Sequence, residues 1–311
     1  MVVFNSDIKR LPEEYRGGTA ALGFFDGVHI GHACLIRTAM DKAKQKGKAA
    51  MVYTFDISPK NFGGKSVVSE ITPLEIKTEV LSDTGLQAVY IDSFSEQLRG
   101  MSGEDFVREV LHEKLGVSHV VVGFNYRFGR KAACGGDELR EYCSRFGIGV
   151  SQLPPLFAKD NTPVSSTLIR SIIKEGDMET TAKLLGRPFF IKSRVVHGQQ
   201  IGSAMKIKTI NQEFSQNTII PATGVYITRA VIGEHEYKSI TNVGTRPTVN
   251  SGSDVRAETH ILDFDADIYG KEVRVEFLKY IREEKKFESL DALKAQILKD
   301  TNAALDYFKK D

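Results

Sequence analysis

Residues Gly23 to His32 read GFFDGVHIGH, and how that stretch is understood decides the fold. The run that leads into it, TAALGFF (19–25), is apolar without alternation, as in a strand covered on both faces. The run that follows, HACLIRTAMDKAKQKG (32–47), carries apolar residues at helical spacing and closes on Gly47. A glycine-rich turn from strand to helix is where open parallel sheets bind ligands, because the helix N-terminus offers free N–H groups and a partial positive charge. The glycines admit a phosphate to the backbone, and His29 and His32, three residues apart, can face one side as the helix begins. Imidazoles beside a polyphosphate are favoured as cations and stabilise charge on a phosphoryl group in transfer. A plainer reading stays open: a turn capped by Asp26 with two solvated histidines. Zinc is unsupported, since HxxH has no third ligand nearby.

Working outward, the strand–helix beat continues. AAMVYTF, LQAVYIDSF and VSHVVVGF read as strands, with EIKTEVLSDTG and SGEDFVREVLHEKLG as helices between them. Valine-rich strands alternating with helices predict a parallel sheet covered on both faces. After TTAKLLGRP the rhythm changes. FFIKSRVVHG, GVYITRAVI, HEYKSITNVG, VRAETHILDF and KEVRVEFLKYI show strand alternation and turns with no helix between, which suits an antiparallel sheet or small barrel. SLDALKAQILKDTNAALDYFKK closes the chain as an amphipathic helix. The expectation is an α/β chain of two domains, a Rossmann-like domain over 1–186 and a small antiparallel β-barrel with a C-terminal helix over 187–311.

The totals agree with this. A chain of 311 residues exceeds one typical core. A net charge of +2, with 26% charged and 41% hydrophobic residues, gives no electrostatic reason to expect nucleic acid as a partner. Cys34, Cys134 and Cys143 cannot all pair and show no CxxC spacing, so neither a disulfide framework nor a cysteine zinc site is expected. No run of about 18 apolar residues marks a membrane span, and the N-terminus lacks a secretory pattern. A reducing cytoplasm is the expected setting. FGGKS, ending at Lys65 and Ser66, imitates the tail of a phosphate loop but has Pro59 where the first glycine belongs.

The element GxFDGxHxGH resembles the HxGH signature of the nucleotidylyltransferase superfamily, and VSSTLIR (164–170) is similar to that superfamily's second phosphate motif. Between them VVGFNYRFGRKAACGG (121–136) looks like the flavin-specific version of the fold. LLGRPFFIKSRVVHG, GVYITRAV, NVGTRPTV and ETHILDFDADIYGKEVRVEFLKYI continue the likeness, so that nearly the whole chain resembles the bacterial bifunctional riboflavin kinase and FAD synthetase family. That resemblance implies adenylyl transfer from ATP to FMN. It implies that His29, His32 and Arg170 act on the phosphates, and that Gly23, Phe24, Asp26, Gly27, Gly31, Ser165, Ser166 and Thr167 cradle ATP. It gives the flavin Phe62, Asn125, Tyr126, Arg127 and Phe128. Ile57 and Ser58 stand where the family has proline and histidine.

For the second domain the resemblance implies a kinase that uses Glu258 as base, near Asn242 and Thr245 to Pro247. Magnesium is the expected cofactor, and Thr209 and Asn211 would be its ligands and phosphate contacts in this half only if the half is active. The ATP loop departs from the family's GFPTAN: in QQIGSAMKIKTIN (199–211), Lys206, Ile207, Lys208 and Ile210 replace glycine, phenylalanine, proline and alanine. Losing the glycine removes easy access to positive φ, and losing the proline removes a fixed φ. The expectation is an FAD synthetase whose riboflavin kinase half is weak or inactive. The alternatives are a fully bifunctional enzyme and a barrel that only binds flavin as a regulator. The expected small-molecule partners are ATP and FMN, with riboflavin added if the kinase works.

Overall fold

In a computed structural model the chain divides into two compact units, Met1–Ser166 and Thr167–Asp311. The structure describes residues 1–64, 67–159, 161–196, 209–215, 217–247 and 253–309, with backbone alone at 246–247 and 253–254. Lys65 and Ser66, and the loop positions Gln199 to Lys208 with Lys206, Ile207 and Lys208 among them, lie outside the described residues.

The first unit is built on β1 (Val2–Asn5), β2 (Thr19–Leu22), β3 (Ala50–Phe55), β4 (Ala88–Asp92), β5 (His119–Gly123) and β6 (Gly149–Leu153). They form one parallel sheet in the order β1-β4-β3-β2-β5-β6. Its helices are α1 (Ile30–Gln45), α2 (Leu74–Ser82), α3 (Glu96–Gly100), α4 (Gly103–Asp105) and α5 (Gly136–Ser144). The segment SGEDFVREVLHEKLG, expected as one α-helix, starts as α4 and continues as wider π-type turns over Phe106–Leu115, ending at Gly116 with φ 61°.

The apolar strands pack as their composition requires. Ala20, Leu22, Met51, Tyr53, Tyr90, Val120 and Val122 are buried together with Phe106, Val107 and Leu111. Each such large side chain contributes about 1.5–3 kcal/mol relative to exposure. Because all six strands run the same way, their carboxyl ends gather on one edge: Leu22, Phe55, Asp92, Gly123 and Leu153 end there, and GFFDGVHIGH follows directly from β2.

The division between the units falls one residue into α6 (Ser166–Glu175), which is followed by α7 (Met178–Leu185). The second unit then holds β7 (Phe189–Arg194), β8 (Ile210–Glu213), β9 (Gly224–Ile232), β10 (His235–Pro247), β11 (Ser253–Ile261) and β12 (Glu272–Arg282), and ends in α8 (Leu290–Phe308). The strands are antiparallel in the order β7-β12-β9-β10-β11-β8. The sheet closes on itself where the Val196 N–H donates to the Asn211 carbonyl at 2.9 Å and Gln212 Nε2 donates to the Ser193 carbonyl at 3.0 Å. Near-closure of this kind leaves little free edge to protect.

Inside the barrel Thr228, Ser239, Thr241 and Thr259 are fully buried, and their hydroxyls link across three strands at 2.8 Å each. A hydroxyl both donates and accepts, so the row satisfies itself without charge. Outside, α8 lays Ala304 and Ile297 against Ile227, Ile240 and Leu278. Arg282 grips the buried Asp300 through Nε and Nη2 at 2.8 to 3.1 Å, fixing that helix to β12.

Candidate active site

The turn after β2 is strained and pinned. Gly27 has φ 84°, but Phe25 and Val28 are also left-handed, at 57° and 41°, and a β-branched residue there is a conformational outlier. Such backbone persists only where contacts over-determine it. Asp26 supplies them: it is 4% exposed, and its Oδ1 accepts from the N–H groups of Ile71 and Thr72 at 2.8 and 3.1 Å. The Gly27 N–H donates to Thr72 Oγ1 at 2.8 Å. Asp26 therefore clasps the segment entering α2 and does not cap α1. The cap of α1 is His29, whose Nδ1 accepts from the His32 N–H at 3.3 Å.

The two imidazoles stack, ring centroids 3.6 Å apart at 15°, with Phe25 5.0 Å from His32. Gly31 makes this possible, since a Cβ there would lie 3.1 Å from the His29 ring. The expected cationic form belongs to imidazoles beside a polyphosphate; without one, the surroundings of His32 favour the neutral ring. Burial first, then the neighbouring His29 and Lys77, hold its pKa well below 6.5, so the unliganded protein carries it neutral. His32 Nδ1 is buried with no hydrogen-bond partner among the described residues. A buried ring nitrogen without a partner is costly, and an arriving phosphate oxygen would both satisfy and charge it.

The second motif reaches this turn. Ser166 Oγ donates to the Asp26 carbonyl at 2.9 Å across 140 residues of chain, joining the start of α6 to the loop that precedes α1. Ser165 immediately precedes that start. Thr167 and Arg170 follow on α6, where Arg170 Nη2 donates to Thr167 Oγ1 at 3.3 Å.

The flavin candidates divide. Phe128 is buried in the core, Tyr126 is half-buried against it, and Asn125 and Arg127 are exposed. Arg127 Nε holds the Ala132 carbonyl at 3.2 Å. A continuous aromatic series nonetheless connects the two groups. Phe62 meets Phe94 at 5.3 Å, Phe94 meets Phe55 at 5.2 Å, and Phe55 meets Tyr53 at 5.4 Å. The series continues through Phe106 and Phe128 to Tyr126 at 5.7 to 5.8 Å. Of the unusual pair before it, Ile57 is 41% exposed and Ser58 is buried.

In the barrel, strand register assembles what the sequence scatters. Glu258 on β11 lies opposite Asn211 on β8 and opposite Asn242 on β10, so the three share one row and one face. Thr241 and Thr259, one residue along, face the interior. Asn211 is 4% exposed, and Thr209 lies just before β8. Asn242 Nδ2 also reaches Glu284 Oε1 at 3.4 Å.

Comparison with known proteins matches the two halves of the chain to two families. Residues 11–168 match the FAD synthetase family and residues 185–308 the riboflavin kinase family. The Bacillus subtilis (strain 168) protein named bifunctional riboflavin kinase/FMN adenylyltransferase is 33% identical over 302 residues, covering 96% of this chain and 95% of its own. The chain belongs to the bifunctional riboflavin kinase/FMN adenylyltransferase family. The Escherichia coli (strain K12) member of that name is 31% identical over 306 residues, covering 97% and 96%. A solved Streptococcus pneumoniae structure, named a macrolide-efflux protein, superposes with TM-score 0.89 at 29% identity, covering 98% of this chain and 99% of that one. That name concerns that protein; among the described residues here, no helix is long and apolar enough to cross a membrane. As a member of the family, the chain is a nucleotidyltransferase.

One residue of this family member escaped the sequence reading. Lys77 of α2 is 1% exposed; its Nζ sits 3.8 Å over the Phe24 ring and donates to the Phe55 carbonyl at 3.3 Å. Burial lowers its pKa to about 8 against the pull of Glu70, Asp26 and Asp56. A signal was present, since Lys77 lies on the apolar stripe of α2 with Ile76, Val80 and Leu81.

Proposed function

We propose that the first domain, taken as 1–186, transfers AMP from ATP to FMN, and that the barrel, 187–311, is a weak or inactive riboflavin kinase. The observation that supports the first part is the contact of Ser166 with the Asp26 carbonyl, which brings a hydroxyl-bearing residue of the second motif to the turn that carries the histidine pair. An FMN phosphate oxygen forms a new bond to Pα, the bond from Pα to the bridging oxygen breaks, and pyrophosphate leaves with that electron pair. The nucleophile is already an anion, so the protein has no base to provide and works by positioning and charge stabilisation.

In this reading His29 and His32 act on the α-phosphate, with His32 taking up a proton as charge builds beside its unpaired nitrogen. Gly23, Phe24, Gly27 and Gly31 shape the cradle, Asp26 keeps it strained, and Ser165, Ser166, Thr167 and Arg170 serve the outer phosphates. Phe62, Asn125, Tyr126, Arg127 and Phe128 serve the flavin from the two ends of the aromatic series. ATP and FMN in a reducing cytoplasm suit the free Cys34, Cys134 and Cys143. Incubation with FMN, ATP and magnesium tests this directly: FAD and pyrophosphate are expected in equal amounts, and no FAD would overturn it.

For the barrel, the Thr209 hydroxyl and the Asn211 amide beside Glu258 are oxygen donors, which fit magnesium. These residues would hold it there, where it would neutralise ATP phosphate charge, while Glu258 accepts the ribityl proton. The replaced loop residues Lys206, Ile207, Lys208 and Ile210 are the reason to expect slow turnover, since lysine charges do not restore a backbone cradle. Full bifunctionality is the second reading, favoured by the intact row Asn211–Glu258–Asn242. Riboflavin, ATP and magnesium decide between them. FMN formed more than about tenfold slower than FAD supports the first reading, comparable rates support the second, and riboflavin binding without turnover leaves only a regulatory barrel.

A further inference from the structure

Lys77 is a buried amine that no ion pair with a described carboxylate accounts for. Its Nζ is held by the Phe55 carbonyl at 3.3 Å and by the Phe24 ring at 3.8 Å. Burying an ammonium is expensive, and a methionine-shaped residue would fill the same space at no such cost, so a lysine here calls for an anion. The two holding residues say where that anion comes. Phe24 opens the turn that carries His29 and His32, and the Lys77 charge acts on His32 itself. Phe55 ends β3 and begins the series Phe55–Phe94–Phe62, which leads toward the flavin side. The amine thus stands between the aromatic groups suited to a flavin ring and the imidazoles suited to the α-phosphate. In an adenylyl transfer, what lies between those two is the attacking phosphate.

Building on the adenylyltransferase reading, we propose that Lys77 is a further catalytic residue: its ammonium receives the terminal phosphate of FMN and aims it at Pα. Asp26 provides the means of placing it, because the clasp on Ile71 and Thr72 fixes the segment entering α2 five to six residues before the lysine bonds to β3. The inference separates the two phosphate sources by position. ATP is served by the N-termini of α1 and α6, FMN by the flank of α2.

The test uses the full-length protein with FMN and magnesium–ATP, comparing wild type with Lys77→Met and Lys77→Arg. Loss of a charge-assisted phosphate contact should lower kcat/KM for FMN by roughly 10- to 100-fold in Lys77→Met. The KM for ATP should stay within about twofold, and Lys77→Arg should recover much of the loss. A lysine that merely tied α2 to β3 would affect both substrates alike. Wild-type kcat/KM for FMN should also fall as pH rises through about 8, where the free amine loses its proton in the combined field of Glu70, Asp26, Asp56 and His32, and this fall should be absent in Lys77→Arg. Circular dichroism and thermal melting confirm that each variant is folded, and the wild-type pH profile remains a test if one is not. Unchanged FMN kinetics in folded Lys77→Met, a rise in ATP KM of equal size, or a flat pH profile would overturn the role of Lys77. A wild type that makes no FAD would instead overturn the adenylyltransferase reading on which it rests.

Discussion

The buried amine of Lys77 predicts that removing it makes the protein more stable at neutral pH. Its pKa falls from an ordinary 10.5 to about 8, with burial as the main cause. At about 1.4 kcal/mol per tenfold, roughly 3 kcal/mol opposes folding while both states are charged. Lys77→Met removes that cost but strips the Phe55 carbonyl of its donor, which costs about 1–3 kcal/mol. A net gain of about 1–2 kcal/mol is expected at pH 7. The sign follows from proton counting. Below about 8 both folded and unfolded chains hold the proton, and the full opposition is felt. Between about 8 and 10.5 the folded chain releases it first, so wild-type stability rises with pH; above 10.5 both are neutral. Urea denaturation of the ligand-free protein at pH 7 and pH 10, following the first unit, measures this. Lys77→Met should be the more stable protein at pH 7 and lose that lead by pH 10. Parallel pH dependence in the two proteins would refute the reasoning.

Asp26→Ala should destabilise the first unit by about 2–5 kcal/mol in chemical denaturation, because the Ile71 and Thr72 N–H groups are left buried and unpaired. His32 is held neutral by the fold, so the unfolded chain takes up a proton that the folded chain refuses as pH drops below 6.5. Wild type should therefore lose stability in that range, and His32→Asn should show a shallower loss when melting temperatures are compared from pH 7 to 5. Arg282→Ala strands Asp300, which is 3% exposed, and should lower barrel stability by about 3–5 kcal/mol while leaving FMN adenylylation within about twofold of wild type.

Apolar pattern alone carried most of the architecture. Strands β2, β3, β4 and β5 announced themselves as unbroken apolar runs because both faces of a parallel sheet are covered. The strands that left no such mark lie where that condition fails. β1 is exposed at three of its four residues, β6 is a half-buried sheet edge, and β8 reads INQE because Gln212 is buried by hydrogen bonds to the Ser193 and Val273 carbonyls. Alternating strands without helices marked the barrel, and the long amphipathic run marked α8.

For the site, the sequence named the turn and the serine motif, since glycines and histidines at fixed spacing follow from local backbone needs. Packing alone decided the rest. The neutrality of His32 depends on what buries it, and the work of Asp26 depends on which N–H groups arrive beside it from 45 residues away. The alignment of Asn211, Glu258 and Asn242 is a matter of register between strands far apart in the chain. Lys77 is the clearest instance. Its spacing says only that it sits on an apolar stripe, and a lysine on such a stripe can extend its charge to water along its stem. Whether it does is settled by what the neighbouring elements offer the amine, and here it meets the Phe24 ring at 3.8 Å and the Phe55 carbonyl at 3.3 Å.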